Sequence, residues 1–283
     1  FAQKYYFVTY STEEGLPQTQ VTSLCQDSSG YLWIGTLGGL AKFNGAEFTT
    51  YSSNDGLINN RITAIKYFDN TLWVGHDGGI SIVKNKNISH VAFKGNDKSR
   101  KVTGIVRFKT LLLVATDGGG LFKLEDEKLI RIDLDNLEFE NIRGAYVSQG
   151  ILYLVTRGGV LKSENGSDFS LVKSLGEYSH SGVDGNDDFI LFTTFNHGVR
   201  KLDLKTGKVT VFDAEQLVHQ IYGCHIDADG LAWLNTENGI IQISPKNKLL
   251  FLNEDNGLPV NVISCFYQDF EKNVWIGSEG KGI

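Results

Sequence analysis

The segment Tyr31 to Leu40 reads YLWIGTLGGL, and Thr71 to Ile80 reads TLWVGHDGGI. Each is an apolar strand with a large ring, closed by paired glycines. The arrangement returns along the whole chain. Its bulky position is filled by Trp33, Trp73, Leu113, Tyr153, Phe192, Trp233 and Trp275, at spacings of 40, 40, 40, 39, 41 and 42 residues. A glycine turn follows each time: TLGGL, HDGGI, TDGGGL, TRGGV, FNHGV, TENGI and SEGKGI. Short strands divided by turns at a period near 40 are the mark of a β-propeller with four strands per repeat.

The first repeat divides accordingly. Val21 to Gln26 forms the inner strand, Tyr31 to Thr36 the second, Leu40 to Phe43 the third and Glu47 to Tyr51 the outermost. Asp27-Ser-Ser-Gly30 and Gly38-Gly39 are turns, because Asp offers a local hydrogen bond and Gly a positive φ. The expectation is an all-β, seven-bladed β-propeller of four-stranded antiparallel blades, as one domain over 1–283. Its repeats lie near 21–60, 61–101, 102–141, 142–180, 181–220, 221–261 and 262–283 plus 5–11. The N-terminal segment Phe7-Val-Thr-Tyr10 matches Phe48-Thr-Thr-Tyr51 and has no strands before it. It is expected to close the last blade as its outer strand and remove an open edge. The seventh repeat stops at Ile283, where its third strand should begin, and continuation of the native protein is the favoured explanation.

Each bulky side chain (Trp33, Trp73, Tyr153, Phe192, Trp233, Trp275, with Leu113 in the third repeat) is expected to fill the space between neighbouring blades, where a large ring buries much apolar area. The glycines admit a tight turn beside it without a Cβ clash.

The net charge is −6, so phosphate recognition by a basic face is excluded as the main activity. The densest basic stretch, Lys94 to Lys101, is short, contains Asp97 and reads as a solvated loop. The cysteines Cys25, Cys224 and Cys265 are odd in number, lie in strand patterns and lack metal-ligand spacing. They read as small buried hydrophobes. No cofactor is implied. No apolar run reaches the roughly 18–20 residues that span a bilayer. The opening residues FAQKYYF are similar to the remnant of a cleaved export signal, or to a simple truncation.

Gly15 to Leu40 carries the whole repeat: GLP, an inner-strand Val, Asp27, Gly30, then LWIGT and the glycine turn. This closely resembles the two-component regulator propeller repeat, most strongly in the first, second, sixth and seventh repeats. The resemblance implies an extracytoplasmic, periplasmic sensor region of a signalling receptor. It also implies a further ectodomain, a membrane helix and a kinase or other output elsewhere in the protein, and glycan breakdown products as ligands. The partners so implied are a small molecule or oligosaccharide, the remaining ectodomain and a second copy. Neither nucleic acid nor membrane contact is implied for this region.

In a propeller, the outer-to-inner loops and the second-to-third-strand loops surround one mouth of the central channel, where concave sites lie. The residues leading into the inner strands are Gln20, Asn60 with Arg61, Arg100, Asn141, His180, Gln220 and Asn261. Amides and guanidinium groups so placed would hydrogen-bond sugar hydroxyls or a carboxylate, or would cap neighbouring turns. Both readings stand. Arg61, Arg100 and His180 depart from the amide pattern and are the stronger ligand candidates. The glycine-turn residues His76, Asp77, Asp117, Arg157, Asn196, His197, Glu237, Asn238 and Glu279 share that face and vary between repeats, as either recognition loops or solvated turns.

Catalytic patterns are sparse. The six histidines are spread over four repeats without an H-x-x-x-H pair, and His197 with Glu237 is the best acid–base pair available. Asp184 to Asp188 lacks the glycine and bidentate Glu of a calcium loop and reads as a hairpin turn. Gly118 to Gly120 lacks the Lys and Ser or Thr of a phosphate loop. The expectation is a non-enzymatic sensor. A propeller hydrolase or lyase, and a protein-interaction scaffold, are the alternatives.

Overall fold

The computed structural model describes residues 7–85, 87–94, 100–134, 137–176, 179–212, 217, 220–246 and 248–283. Most of the basic stretch after Lys94, and His219, lie outside them. The structure is built from antiparallel sheets in chain order. In the first, Val21–Gln26, Leu32–Thr36, Gly39–Phe43 and Phe48–Tyr51 pair in sequence. Five further four-stranded sheets follow, with inner strands Ile62–Phe68, Lys101–Phe108, Ile142–Ser148, His180–Gly185 and Ile221–Ile226.

The expectation of seven blades is corrected: the propeller is six-bladed. The seventh repeat forms only a two-stranded sheet, Ile263–Gln268 with Val274–Ser278. The reason is that Phe7 to Tyr10 adopts no regular strand, so the seventh repeat gains no outer strand from the N-terminal segment. The chain's two ends nevertheless meet. The Tyr10 amide donates to the Ile283 carbonyl at 2.8 Å, and the Tyr10 carbonyl accepts the Ile283 amide in return at 3.1 Å. This is the pairing that Tyr51 makes with Leu40 in the first blade.

Apolar clusters fill the gaps between neighbouring sheets. Cys25, Trp33 and Leu40 of the first blade pack with Ile62, Ile65 and Leu72 of the second. Tyr153 and Val155 pack with Ile190 and Phe192 one blade apart. The Trp233 ring is buried with Ile263 and packs near Ile276 of the two-stranded sheet, which in turn contributes Cys265 and Trp275 to the cluster around Val21 and Ile34. Leu113, Tyr153 and Phe192 are as buried as Trp33, and Trp73 and Trp275 are partly so.

The glycine of the WIGT motif makes this approach possible. A Cβ on Gly35 would stand 2.7 Å from Ile62 Cγ2 on the next blade, well inside van der Waals contact. Gly39, at φ +152°, closes the following turn. Its carbonyl accepts the Thr36 hydroxyl at 2.8 Å.

The Asp of the motif has two tasks. Asp27 Oδ1 accepts the amides of Ser29 and Tyr31, while Oδ2 accepts the Trp33 indole N–H at 2.8 Å. Asp227 and Asp269 hold Trp233 and Trp275 in the same way, at 2.9 and 2.8 Å. In the second repeat that position is Tyr67, and the buried Trp73 Nε1 meets no acceptor among the described residues.

The three thiols are free, with Cys25 buried and the others partly buried. Burial pushes Cys25 and Cys265 up to about 12, and Cys224 well above its ordinary value.

Candidate functional site

A cavity of about 640 Å³ lies where the inner strands begin, and every repeat contributes to its wall. One local irregularity explains how. Each inner strand shifts register against its second strand after its first or second paired residue. Val21 pairs with Thr36 and Ser23 with Gly35, leaving Thr22 as an extra residue. The same β-bulge isolates Thr63, Thr103, Arg143, Ser181, Tyr222 and Ser264. A bulged residue leaves the ladder and its side chain is re-aimed. All seven of these residues line the cavity.

The hydroxyls in this ring hold blades together. Thr22 Oγ1 donates to the carbonyl of Ile62 at 3.0 Å, Thr103 Oγ1 to Ile142 at 2.7 Å, and Ser264 Oγ to Val21 at 2.5 Å. Each spans to the inner strand of the next repeat. Ser181 instead bonds Thr193 of its own blade. In the sixth blade, where the ring residue is Tyr222, Asn235 Nδ2 reaches the Ile263 carbonyl at 3.1 Å in the hydroxyl's place.

Arg143 and Tyr222 break the small-hydroxyl pattern. The Arg143 guanidinium lies 5.6 Å from the centre of the Phe195 ring, and Phe195 meets Tyr222 edge to face at 6.5 Å. Arg143 Nη1 is 4.0 Å from Asp117 Oδ2. Phe195, Tyr222, Asp117, Lys101, Glu279 and Gln20 share the wall with it.

The residues singled out from the sequence fall in several places. Gln20 lines the cavity and its carbonyl oxygen accepts from Gln18 at 3.2 Å. Gln220 lies beside it, accepting the Tyr222 hydroxyl at 3.2 Å. Asn60 and Asn261 accept the amides of Ser53 and Glu254 seven residues upstream, at 2.6 and 2.9 Å, and so tie down their loops. Arg61 pairs with Asp77 at 2.9 Å. Arg100 lies over the Phe122 ring at 5.2 Å. Asn141 bridges to Asp117 through its backbone. His180 occupies the place of Val21 in its repeat, pairs with Thr194, and is fully buried. Among the turn residues, Asp117 and Glu279 line the cavity, whereas His197 and Glu237 do not. Asp184, in the stretch compared with a calcium loop, accepts from His225 Nδ1 and the Ile226 amide of the next blade, both at 2.9 Å.

The wall residues Arg143, Phe195 and Tyr222 are not apparent from a list of loop residues. The signal for Arg143 and Tyr222 is the aligned column one to three positions further on, where five hydroxyl residues frame one Arg and one Tyr.

His76 sits where other repeats have Thr36, Thr116 or Thr156. It is fully buried, its Nδ1 lies 3.2 Å from the Arg61 carbonyl, and its Nε2 meets no partner among the described residues. Burial holds its pKa down to about 4.

The model for the two component regulator propeller matches residues 15–38 and 257–280, the stretches that carry the GLP, Asp and Trp positions described above. The chain carries two-component regulator propeller repeats. Among solved structures, the extracellular domain of a proposed hybrid two-component system from B. thetaiotaomicron is 23% identical. It aligns over 96% of this chain and 40% of its own, with a TM-score of 0.78. The extracellular domain of a proposed one-component system from the same organism is 19% identical, over 99% and 39%, at 0.79. A catalytically inactive virginiamycin B lyase from Staphylococcus aureus is 13% identical, over 97% and 95%, at 0.78. At these identities the likeness shows the fold alone. The chain spans about 40% of the length of the two B. thetaiotaomicron domains. Nothing among curated proteins matches it. No helix among its described residues is long and apolar enough to cross a membrane.

Proposed function

We propose that this chain is the ligand-sensing propeller region of a periplasmic two-component receptor, and that the axial cavity receives the ligand. The supporting observation is the bulge ring. It sets one side chain from every repeat on a single cavity of about 640 Å³, a volume suited to a small molecule or a short oligosaccharide. The regulator-propeller repeats and the extracellular domains of similar fold support the receptor setting. Signalling then follows from differential binding: a ligand that contacts one arrangement of the ectodomain better than another shifts the balance between them. The remaining ectodomain and a second copy of the receptor are the partners this reading assigns.

Calorimetric titration of the chain against an oligosaccharide panel tests it. At least one sugar should bind, Tyr222→Ala should weaken it roughly tenfold by removing a stacking face, and the same sugar should change the output of the intact receptor. Silence across the panel, or turnover of the sugar without output, would overturn the reading.

A further inference from the structure

The bulge ring separates scaffold from recognition. Five of its seven side chains are Thr or Ser, and three of those spend their hydroxyls on the neighbouring blade. Arg143 does neither job. It is the single guanidinium in the ring, and a guanidinium is not needed to tie blades together where a hydroxyl suffices.

Its donors are poorly used. Asp117 at 4.0 Å stands outside hydrogen-bond reach. Arg143 Nε is buried and meets no acceptor among the described residues. A third of the side chain is exposed where it lines the cavity. The guanidinium lies over the face of the Phe195 ring, a contact that uses none of its N–H donors. A planar fork of this kind matches a carboxylate in bidentate fashion.

The local charge agrees. The cavity wall from the third and fourth blades carries Lys101, Arg143 and Asp117. Two positive groups and one negative leave one positive charge to be balanced. Glu279, the other acidic wall residue, comes from the seventh repeat, just past Val274–Ser278, and bridges to Gln20 through its backbone. Beside Arg143, Phe195 and Tyr222 present apolar ring surface.

The geometry points to a ligand whose carboxylate is taken by Arg143 while the ring that bears it rests against Phe195 and Tyr222. This rests on the cavity being the sensing site and adds the ligand's chemistry. A sugar acid and an aromatic acid both carry that chemistry.

Matched pairs distinguish the sources: galacturonate against galactose, and benzoate against benzamide, titrated calorimetrically into the intact chain. One acid should bind, its neutral partner should bind at least roughly tenfold more weakly, and Arg143→Ala should cost a similar factor. Arg143→Lys should keep part of the affinity, since it retains the charge and loses the fork. Arg107→Ala, at an exposed residue that pairs with Asp69 and does not line the cavity, should bind as the parent chain does. Circular dichroism and thermal unfolding check each variant. Should Arg143→Ala not fold, Arg143→Gln, which keeps amide donors without charge, gives the same reading. The assignment is overturned if neither acid binds at millimolar concentration, if acid and neutral partner bind alike, or if loss of Arg143 leaves affinity unchanged. A neutral oligosaccharide that depends on Tyr222 but not on Arg143 would sink the carboxylate and leave the receptor reading standing.

Discussion

Ser264 Oγ donates to the Val21 carbonyl at 2.5 Å, a bond between residues 243 positions apart. It joins the two-stranded sheet to the first blade at the channel wall. The Gln26 side chain supports the same junction by accepting the Phe270 amide at 2.8 Å. Removing the hydroxyl leaves a partly buried carbonyl without this donor. Ser264→Ala should therefore lower stability by about 1 kcal/mol, read as a shift in the urea midpoint at constant slope. An unchanged midpoint would show that this bond does not contribute to ring closure.

The aspartate–tryptophan pairs predict unequal costs for one substitution. Trp33→Phe strands Asp27 Oδ2, a buried acceptor, and should cost about 1–3 kcal/mol beyond the lost ring area. Trp73→Phe removes an N–H that has no acceptor among the described residues, and should cost less. Chemical denaturation of the two variants side by side tests the difference. Equal losses would refute it.

His76 makes stability fall on acidification. In the unfolded chain its imidazole titrates near 6.5, whereas in the fold burial holds it down to about 4. Between these values the unfolded chain binds more protons, so stability is full above 6.5, declines as pH drops toward 4, and flattens below. The loss amounts to about 3 kcal/mol at the lower end. His76→Thr, which restores the residue used in most other repeats, should remove this part of the acid slope. Stability curves from pH 7.5 to 4 that superimpose for both chains would contradict the assignment.

Blade contact at Gly35 is intolerant of a single methyl group. Gly35→Ala places a carbon 2.7 Å from Ile62 Cγ2 and should destabilise by about 1–3 kcal/mol. Gly45→Ala has open space and only its φ of +95° to oppose it, so about 1 kcal/mol is expected there. Thermal unfolding that ranks Gly45→Ala as the costlier change would reverse the packing argument.

The fold was legible because its unit repeats. Trp33, Gly38 and Gly39 each mark a strand or turn by residue type alone, and seven copies fix the period. Blade number was less legible, since a repeat cut after Val274–Ser278 still shows its Asp and Trp while lacking partners for two outer strands. The cavity wall was harder to see. The sequence pattern points to Gln20, Asn60 and Asn261, loop residues one or two positions before the inner strands, and two of these cap their own loops. The bulge that follows breaks strict alternation by one residue, and a pattern of period two assigns no direction to an extra residue. The Asp27–Trp33 bond escaped notice for another reason: six positions apart, the pair meets only because a hairpin folds one strand onto the other.

The bulge has an evolutionary consequence. A residue outside the backbone ladder answers to no cross-strand neighbour, so where its side chain ties no blade its identity can change while the sheet keeps its register. Thr, Ser, Tyr and Arg already occupy equivalent sites around one axis. Under the sensing proposal, such a ring would work like a dial with four movable letters: new specificity would come from exchanges at Thr63, Arg143, Ser181 and Tyr222, while Thr22, Thr103 and Ser264 hold neighbouring blades together.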